Sequence, residues 1–243
     1  MQLNELYRPN PFTPEEHEIL DTVSTGEDPA GWDVQQLFLS QGWIPTDEKN
    51  KSMIGAFSIA YRNPSKPYVI KINRIFDRAF AEFMILTKLH PNIHFPRFLD
   101  VKKLKYKSVH IFKDGESKEY EHVYAYKMEK LEPISSRYLN KTEIEILARI
   151  IFLKSRRKNQ NIYQCFNALI NFVADGTIRK KYMIPYFDKV NNLLHDNPSL
   201  IEAMTILGNH RIGGIDLSHG NIRKRSDGTL VFLDPFAFYR KES

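Results

Sequence analysis

Three polar residues near the end of the chain have the types and spacing to hold a cation and move a proton. Asp216 is followed five residues later by Asn221, and Asp234 ends the apolar run Thr229-Leu230-Val231-Phe232-Leu233. Ile222 with the basic residues behind it, a turn at Asp227-Gly228 and the returning apolar run read as a β-hairpin. Such a hairpin holds Asn221 at its entrance and Asp234 at its exit, near each other in space. Carboxylate and amide oxygens suit a hard cation such as Mg2+, and Asp216 is left as a base, a combination that phosphoryl transfer uses. Taken alone the pattern is also ordinary turn chemistry, because Asp-Gly closes many hairpins and an aspartate after a strand often caps a turn.

Two upstream stretches bear on the same chemistry. Ile54-Gly55-Ala56-Phe57-Ser58-Ile59-Ala60-Tyr61 reads as strand-turn-strand with one glycine, a loop whose backbone N–H groups could cover phosphates. Beyond it, Tyr68-Val69-Ile70-Lys71-Ile72 sets a lysine in an otherwise apolar strand. An ammonium buried there needs an anionic partner, unless only its stem is buried and the tip reaches water. Glu82, on the helix that follows, is the nearest suitable carboxylate.

The elements that must position these residues follow from periodicity. Thr13-Pro14-Glu15-Glu16 is a helix start, with a hydroxyl cap, a first-turn proline and acids at the positive end of the dipole. Asp33 to Leu39 predicts a second helix ending near Gly42. From Met53 the period becomes two, and strands are expected over Met53–Tyr61, Tyr68–Asn73, Ser108–Lys113 and Glu119–Met128, the last two joined at Asp114-Gly115. A helix over Asp77–Leu89, facing inward with Phe80, Phe83, Met84 and Leu89, ends before Pro91. Helices are then expected from Thr142, Asn161, Pro185 and Pro198, ahead of the terminal hairpin. The order predicts an α+β protein with a helical extension over 1–50, a β-rich lobe with one helix over 51–130 and a helical lobe over 131–243.

In order and rough spacing, the loop glycine, strand lysine, helix glutamate, Asp-x-x-x-x-Asn and strand aspartate resemble the eukaryotic-type protein kinases, reduced in size. GAFSIAY followed by VIKI, then DLSHGNI and LDPFAF, is most similar to the early-expressed serine/threonine kinases of lytic tailed bacteriophages, over about Met53 to Phe238. The resemblance implies a minimal two-lobed protein-kinase-like fold that uses ATP and Mg2+ to phosphorylate host proteins in the host cytoplasm. It implies that Gly55, Phe57 and Ser58 form the glycine-rich loop, that Lys71 holds the α/β-phosphates and that Glu82 partners Lys71. Tyr126-Lys-Met-Glu129-Lys-Leu131 resembles the hinge, whose backbone at Glu129 and Leu131 would bond adenine. Asp216 matches the catalytic base, Asn221 and Asp234 the metal ligands.

The chain departs from the family pattern in three places. Gly214-Ile215 stand where His-Arg commonly precede the base, and Pro235-Phe236 replace Phe-Gly. Only nine residues follow Asp234, which leaves no room for the usual activation segment, so helices from Pro133 to Leu207 are expected to supply the lower lobe. Asp-Leu-Ser with asparagine five residues after the aspartate also resembles RIO-type and aminoglycoside or choline phosphotransferases, although no acidic cluster for a cationic small substrate is evident. A third reading keeps the fold as a non-catalytic module binding a host factor. The missing segment favours it, and retention of all five polar positions argues against it.

Composition bounds these readings. Hydrophobic residues make up 42% and charged residues 26% of 243, a globular balance. A single cysteine, Cys165, cannot form an internal disulfide and suits a reducing cytosol. No apolar run reaches the length of a membrane span, and the N-terminus lacks the order of a signal peptide, so a cytoplasmic location without membrane attachment is expected. The net charge of +6 is spread over small clusters at 102–105, 156–158, 179–181 and 223–225. Solvated surface is the simpler reading of these clusters; nucleic-acid binding is conceivable, but no nucleic-acid-binding motif accompanies them.

Overall fold

The computed structural model describes residues 10–23, 32–46, 58–73, 77–111, 118–210 and 214–237. Helices and antiparallel strands fall in separate runs along the chain, which is an α+β architecture. The chain divides into two compact units, Met1–Asp77 with Arg97–Lys130 and Arg78–Pro96 with Leu131–Ser243.

The first unit is a five-stranded antiparallel sheet. Its strands are β1 (Ile44–Pro45), β2 (Ser58–Arg62), β3 (Tyr68–Asn73), β4 (Phe98–Ile111) and β5 (Lys118–Glu129), ordered β1-β2-β3-β5-β4. Two helices, α1 (Pro14–Thr22) and α2 (Trp32–Ser40), complete its core. The expected start of α1 is a full capping box: Thr13 Oγ1 accepts the Glu16 N–H at 3.3 Å and Glu16 Oε2 accepts the Thr13 N–H at 2.9 Å. After α2 the chain reverses at Gly42, whose φ of +77° favours glycine. Ile19, Leu20, Val34 and Phe38 bury against Ile59, Tyr61, Ile70 and Ile72, and Phe38 stacks on Tyr61 at 3.9 Å. The N-terminal helices therefore belong to the core of this unit and are not an appendage, and β1 extends its sheet.

A buried ion pair ties the same elements together. Lys127 on β5 is 0% exposed; its ammonium donates to Glu16 Oε2 and to the Pro11 carbonyl, both at 2.9 Å, and lies 4.0 Å from the Tyr68 ring centroid. Tyr68 donates its hydroxyl to the other Glu16 oxygen at 2.5 Å. Burial, and then the Glu16 carboxylate, pushes the Tyr68 phenol above its usual range.

Strand β4 begins ten residues before the strand expected at Ser108. Register shifts between Phe98 and Asp100 and between Lys103 and Lys107 break the two-residue period. As the sheet's edge strand it also carries lysines, a common protection of open edges that reads in sequence as loop. The expected turn at Asp114-Gly115, and the part of the strand expected from Met53 that precedes Ser58, lie outside the described residues.

The second unit packs around α4 (Lys141–Arg156), with α5 (Ile162–Ala174), α6 (Phe187–Asp196) and α7 (Pro198–Asn209) against it and a 3-10 segment over Lys181–Tyr186. Asn140 and Asn161 cap α4 and α5 through capping boxes, and Pro198 opens α7. Helix α3 (Arg78–Leu89) joins this unit although it follows β3 in sequence. Its inward stripe is Ala79, Phe80, Phe83, Leu86 and Thr87; Leu89, expected inside, is 70% exposed, and Met84 is half-buried. Phe83 sets the rotation by meeting Phe95 and Phe236 edge-on, at 5.8 and 6.0 Å.

Helices α4 and α7 approach closely at Gly208, where an added Cβ would come within 2.8 Å of Lys154 Cβ. That atom sits beside its own backbone and cannot swing away. Gly208→Ala is expected to cost about 1–3 kcal/mol by overpacking, despite alanine's better helix propensity. Equilibrium denaturation by urea checks this; an unchanged or raised midpoint would show that the helices part freely.

Candidate functional site

Four short strands of the second unit gather the three residues singled out first. β7 (Gly214–Ile215) pairs with β10 (Phe236–Ala237), and β8 (Ile222–Lys224) forms the expected hairpin with β9 (Leu230–Phe232), flanked by β6 (Glu132–Pro133). The hairpin turns at Gly228, with φ of +88°. As the chain leaves β7, the Asp216 N–H donates to the Pro235 carbonyl at 2.9 Å. The Ser218 carbonyl then accepts the N–H groups of Asn221 and Ile222, both at 3.0 Å, so 218–222 closes into a turn. Asn221 ties the loop to the hairpin: its Nδ2 donates to the Asp216 carbonyl at 2.8 Å and its own carbonyl accepts the Leu233 N–H at 2.8 Å. Asp216, Asn221 and Asp234 are thereby brought together on adjoining segments.

The side chains differ in setting. Asp216 is exposed, whereas Asn221 and Asp234 are half-buried. Because Asn221 turns its amide nitrogen to the loop, Oδ1 is the atom left to meet a cation. Among the described residues no three His, Cys, Asp or Glu side chains cluster as a ready-made metal cage. One carboxylate and one amide oxygen fit instead a cation that arrives with phosphate oxygens; Mg2+ is commonly held by one or two carboxylates plus substrate phosphates. A concavity of about 380 Å3 in this unit opens between Tyr138, Glu143, Lys189 and Leu193 and includes none of the three.

Several supporting residues were not legible as such. His219 fixes the loop from behind, its Nε2 bonded to the Leu139 carbonyl at 3.1 Å. Arg225, read as part of an exposed basic cluster, is buried; its guanidinium bonds the carbonyls of Ile93 and, at 3.0 Å, Phe95. Its neighbour Lys224 pairs with Glu132 at 3.1 Å. His94 is buried among these groups: Nδ1 meets the Leu230 carbonyl at 2.8 Å, Nε2 meets Ser199 Oγ at 3.0 Å, and its carbonyl accepts the Phe232 N–H at 2.8 Å. Buried imidazoles and guanidiniums leave no periodic mark, and only their partners, more than a hundred residues away in sequence, reveal them.

Burial, and secondarily the charge of Arg225, lowers the His94 pKa from 6.5 against the opposing bond to Leu230. The folded state therefore binds fewer protons than the unfolded chain just below pH 6.5. This contribution to stability is present above that pH and is lost as pH falls toward the depressed value. The melting temperature of wild type should drop more between pH 7 and 5 than that of His94→Gln. Parallel curves for the two proteins would exclude His94 as the source.

The remaining candidates are divided between the units. In the first, Lys71 on β3 stands opposite Ala60 and Tyr126 and is 9% exposed. Asn73 shares its strand face, and Asn73 Oδ1 is buried with no hydrogen-bond partner among the described residues. Ser58 opens β2 directly opposite Asn73; Gly55 and Phe57 lie outside the described residues. The Glu129 N–H is engaged by the Arg97 carbonyl at 3.1 Å and its side chain by Arg97, so neither its N–H nor its carboxylate is open to the adenine contact expected there. In the second unit, Leu131 is half-buried, and Glu82 is held by Arg78 one turn earlier at 2.6 Å. Exposed as both partners are, that pair contributes little.

Among the described residues no helix is long and apolar enough to cross a membrane. No protein-family model, no curated protein and no solved structure matches the chain.

Proposed function

We propose that the chain is an ATP- and Mg2+-dependent serine/threonine protein kinase of minimal two-lobed kinase-like fold, acting on host proteins as the phage kinases it resembles do. The observation that carries this reading is the Asn221 bridge, which gathers an exposed carboxylate, an amide oxygen and a second carboxylate on adjoining loops. The Asn73 oxygen on the Lys71 face of the sheet, which has no donor among the described residues, supports it, since a buried acceptor without a donor suits a face that receives a polar ligand.

In this reading each residue has a positional task. Asp216, exposed and held by its backbone, would orient the serine or threonine hydroxyl and take up its proton. Asn221 Oδ1 and Asp234 would hold Mg2+, and Lys71 would align the nucleotide phosphates. Bound Mg2+ and ATP supply the phosphoryl group and offset its charge. The rest is positioning by a preformed loop.

The test is incubation of purified protein with Mg2+ and γ-labelled ATP, alone and with a host-cell lysate. Label on serine or threonine supports a protein kinase. Label recovered only on small molecules would move the chain to the small-molecule phosphotransferases. Magnesium-dependent nucleotide binding without transfer would leave a binding module.

A further inference from the structure

The positive charge of this protein belongs to one of its units. Over Arg78–Pro96 and Leu131–Ser243 there are 19 Lys and Arg against 12 Asp and Glu, while the other unit has 16 against 17. Part of that excess is organised. Glu145, Arg149, Phe152 and Arg156 recur along α4 at helical spacing and so share one side of it. At one end the Tyr182 hydroxyl donates to Glu145 Oε2 at 2.8 Å, and Lys180, paired with the same carboxylate, lies 5.8 Å from the Tyr182 ring centroid. Arg149 reaches Glu145 Oε1 at 3.1 Å. At the other end the Arg156 guanidinium lies 4.7 Å from the centroid of the Phe152 ring. From Glu145 to Arg156 the stripe runs about 16 Å.

Two features set it apart from a solvated helix face. Phe152 and Tyr182 are large aromatics left 43% and 51% exposed, each with a cation on or beside its ring. Arg179 and Lys181, exposed on either side of Lys180, make no ion pair within the described residues. The single acid does not spoil the surface. Burial pushes the Glu145 carboxyl up, but its bonds to Lys180, Tyr182 and Arg149 outweigh this and hold it below the usual range, as a compensated anion that props Tyr182 in place.

Exposed rings interleaved with uncompensated cations are the chemistry of a single-stranded nucleic-acid site, where bases stack and phosphates pair. An acidic peptide would use the cations but has no need of the rings. We propose that this stripe binds single-stranded nucleic acid, with bases stacking on Tyr182 and on the Phe152–Arg156 pair and phosphates meeting Arg156, Arg179 and Lys181. The surface requires no ATP and contains none of the residues assigned to phosphoryl transfer, so it stands or falls separately from that activity.

The test is fluorescence anisotropy of a labelled oligo-uridine with the full chain, titrated across a range of salt without nucleotide. Three phosphate contacts predict a log–log salt slope of about −2. Phe152→Ala with Tyr182→Ala should weaken binding roughly tenfold or more, and Arg156→Glu with Arg179→Glu and Lys181→Glu should remove it. All five positions are exposed, and thermal unfolding of each variant checks that the fold is kept. Absence of binding by wild type, binding untouched by the aromatic pair, or equal displacement by polyglutamate would overturn the proposal, the last by assigning the surface to an acidic protein.

Discussion

Asp216→Ala is expected to lose phosphoryl transfer by at least two to four orders of magnitude while retaining nucleotide binding, which is about what a positioned general base contributes. The loop should survive the change because its bonds at this residue use only the backbone. The Asp216 N–H donates to Pro235 and its carbonyl accepts from Asn221, and alanine keeps both. The carboxylate itself is exposed, so its removal opens no cavity. Asn221→Ala differs, because it removes an intended metal ligand together with the bond that ties the loop to the hairpin, and it should impair magnesium-dependent nucleotide binding as well as turnover. Single-turnover rates and nucleotide titration, measured on both variants, separate the two roles. Turnover by Asp216→Ala within tenfold of wild type would remove this aspartate from the chemistry.

The largest effect on stability is expected at Lys127, which has no part in the proposed phosphoryl transfer. Lys127→Met keeps most of the volume but leaves the buried Glu16 carboxylate without its cation, while taking donors from the Pro11 carbonyl and a charge from above Tyr68. Breaking a buried ion pair by removing one partner costs about 3–5 kcal/mol, a large part of the total stability of a typical domain. Adding Glu16→Gln should recover much of that loss, since the amide can still accept a hydrogen bond and no longer carries a charge. Denaturation of the two single variants and the double variant closes the cycle. If Lys127→Met unfolds at the wild-type midpoint, the network contributes nothing to holding the N-terminal helix on the sheet.

Much of the local structure was legible from residue order. Thr13-Pro14-Glu15-Glu16 encodes a helix start through the reach of its own side chains, and Asp227-Gly228 encodes the hairpin because few other residues accept the required φ. These are short-range effects, complete within a few residues. The same is true of the candidate site, whose five-residue interval lets one asparagine bond back to the aspartate that precedes it. Long-range packing was not legible in this way. The tilt of α3 that leaves Leu89 in water depends on Phe95 and Phe236, and the bulges of β4 hide its period.

What the sequence by itself determined was most of the helices, the inner strands and the terminal hairpin, because hydrogen-bonding reach and hydrophobic period act between near neighbours. Only the tertiary structure decided which charges are available. Arg225 and Lys127 are taken up by carbonyls and carboxylates distant in sequence, whereas Arg179 and Lys181 remain exposed at the surface. In the sequence these are equivalent cations. They differ because a buried charge must find its partner wherever the chain brings one, and that placement belongs to the fold as a whole.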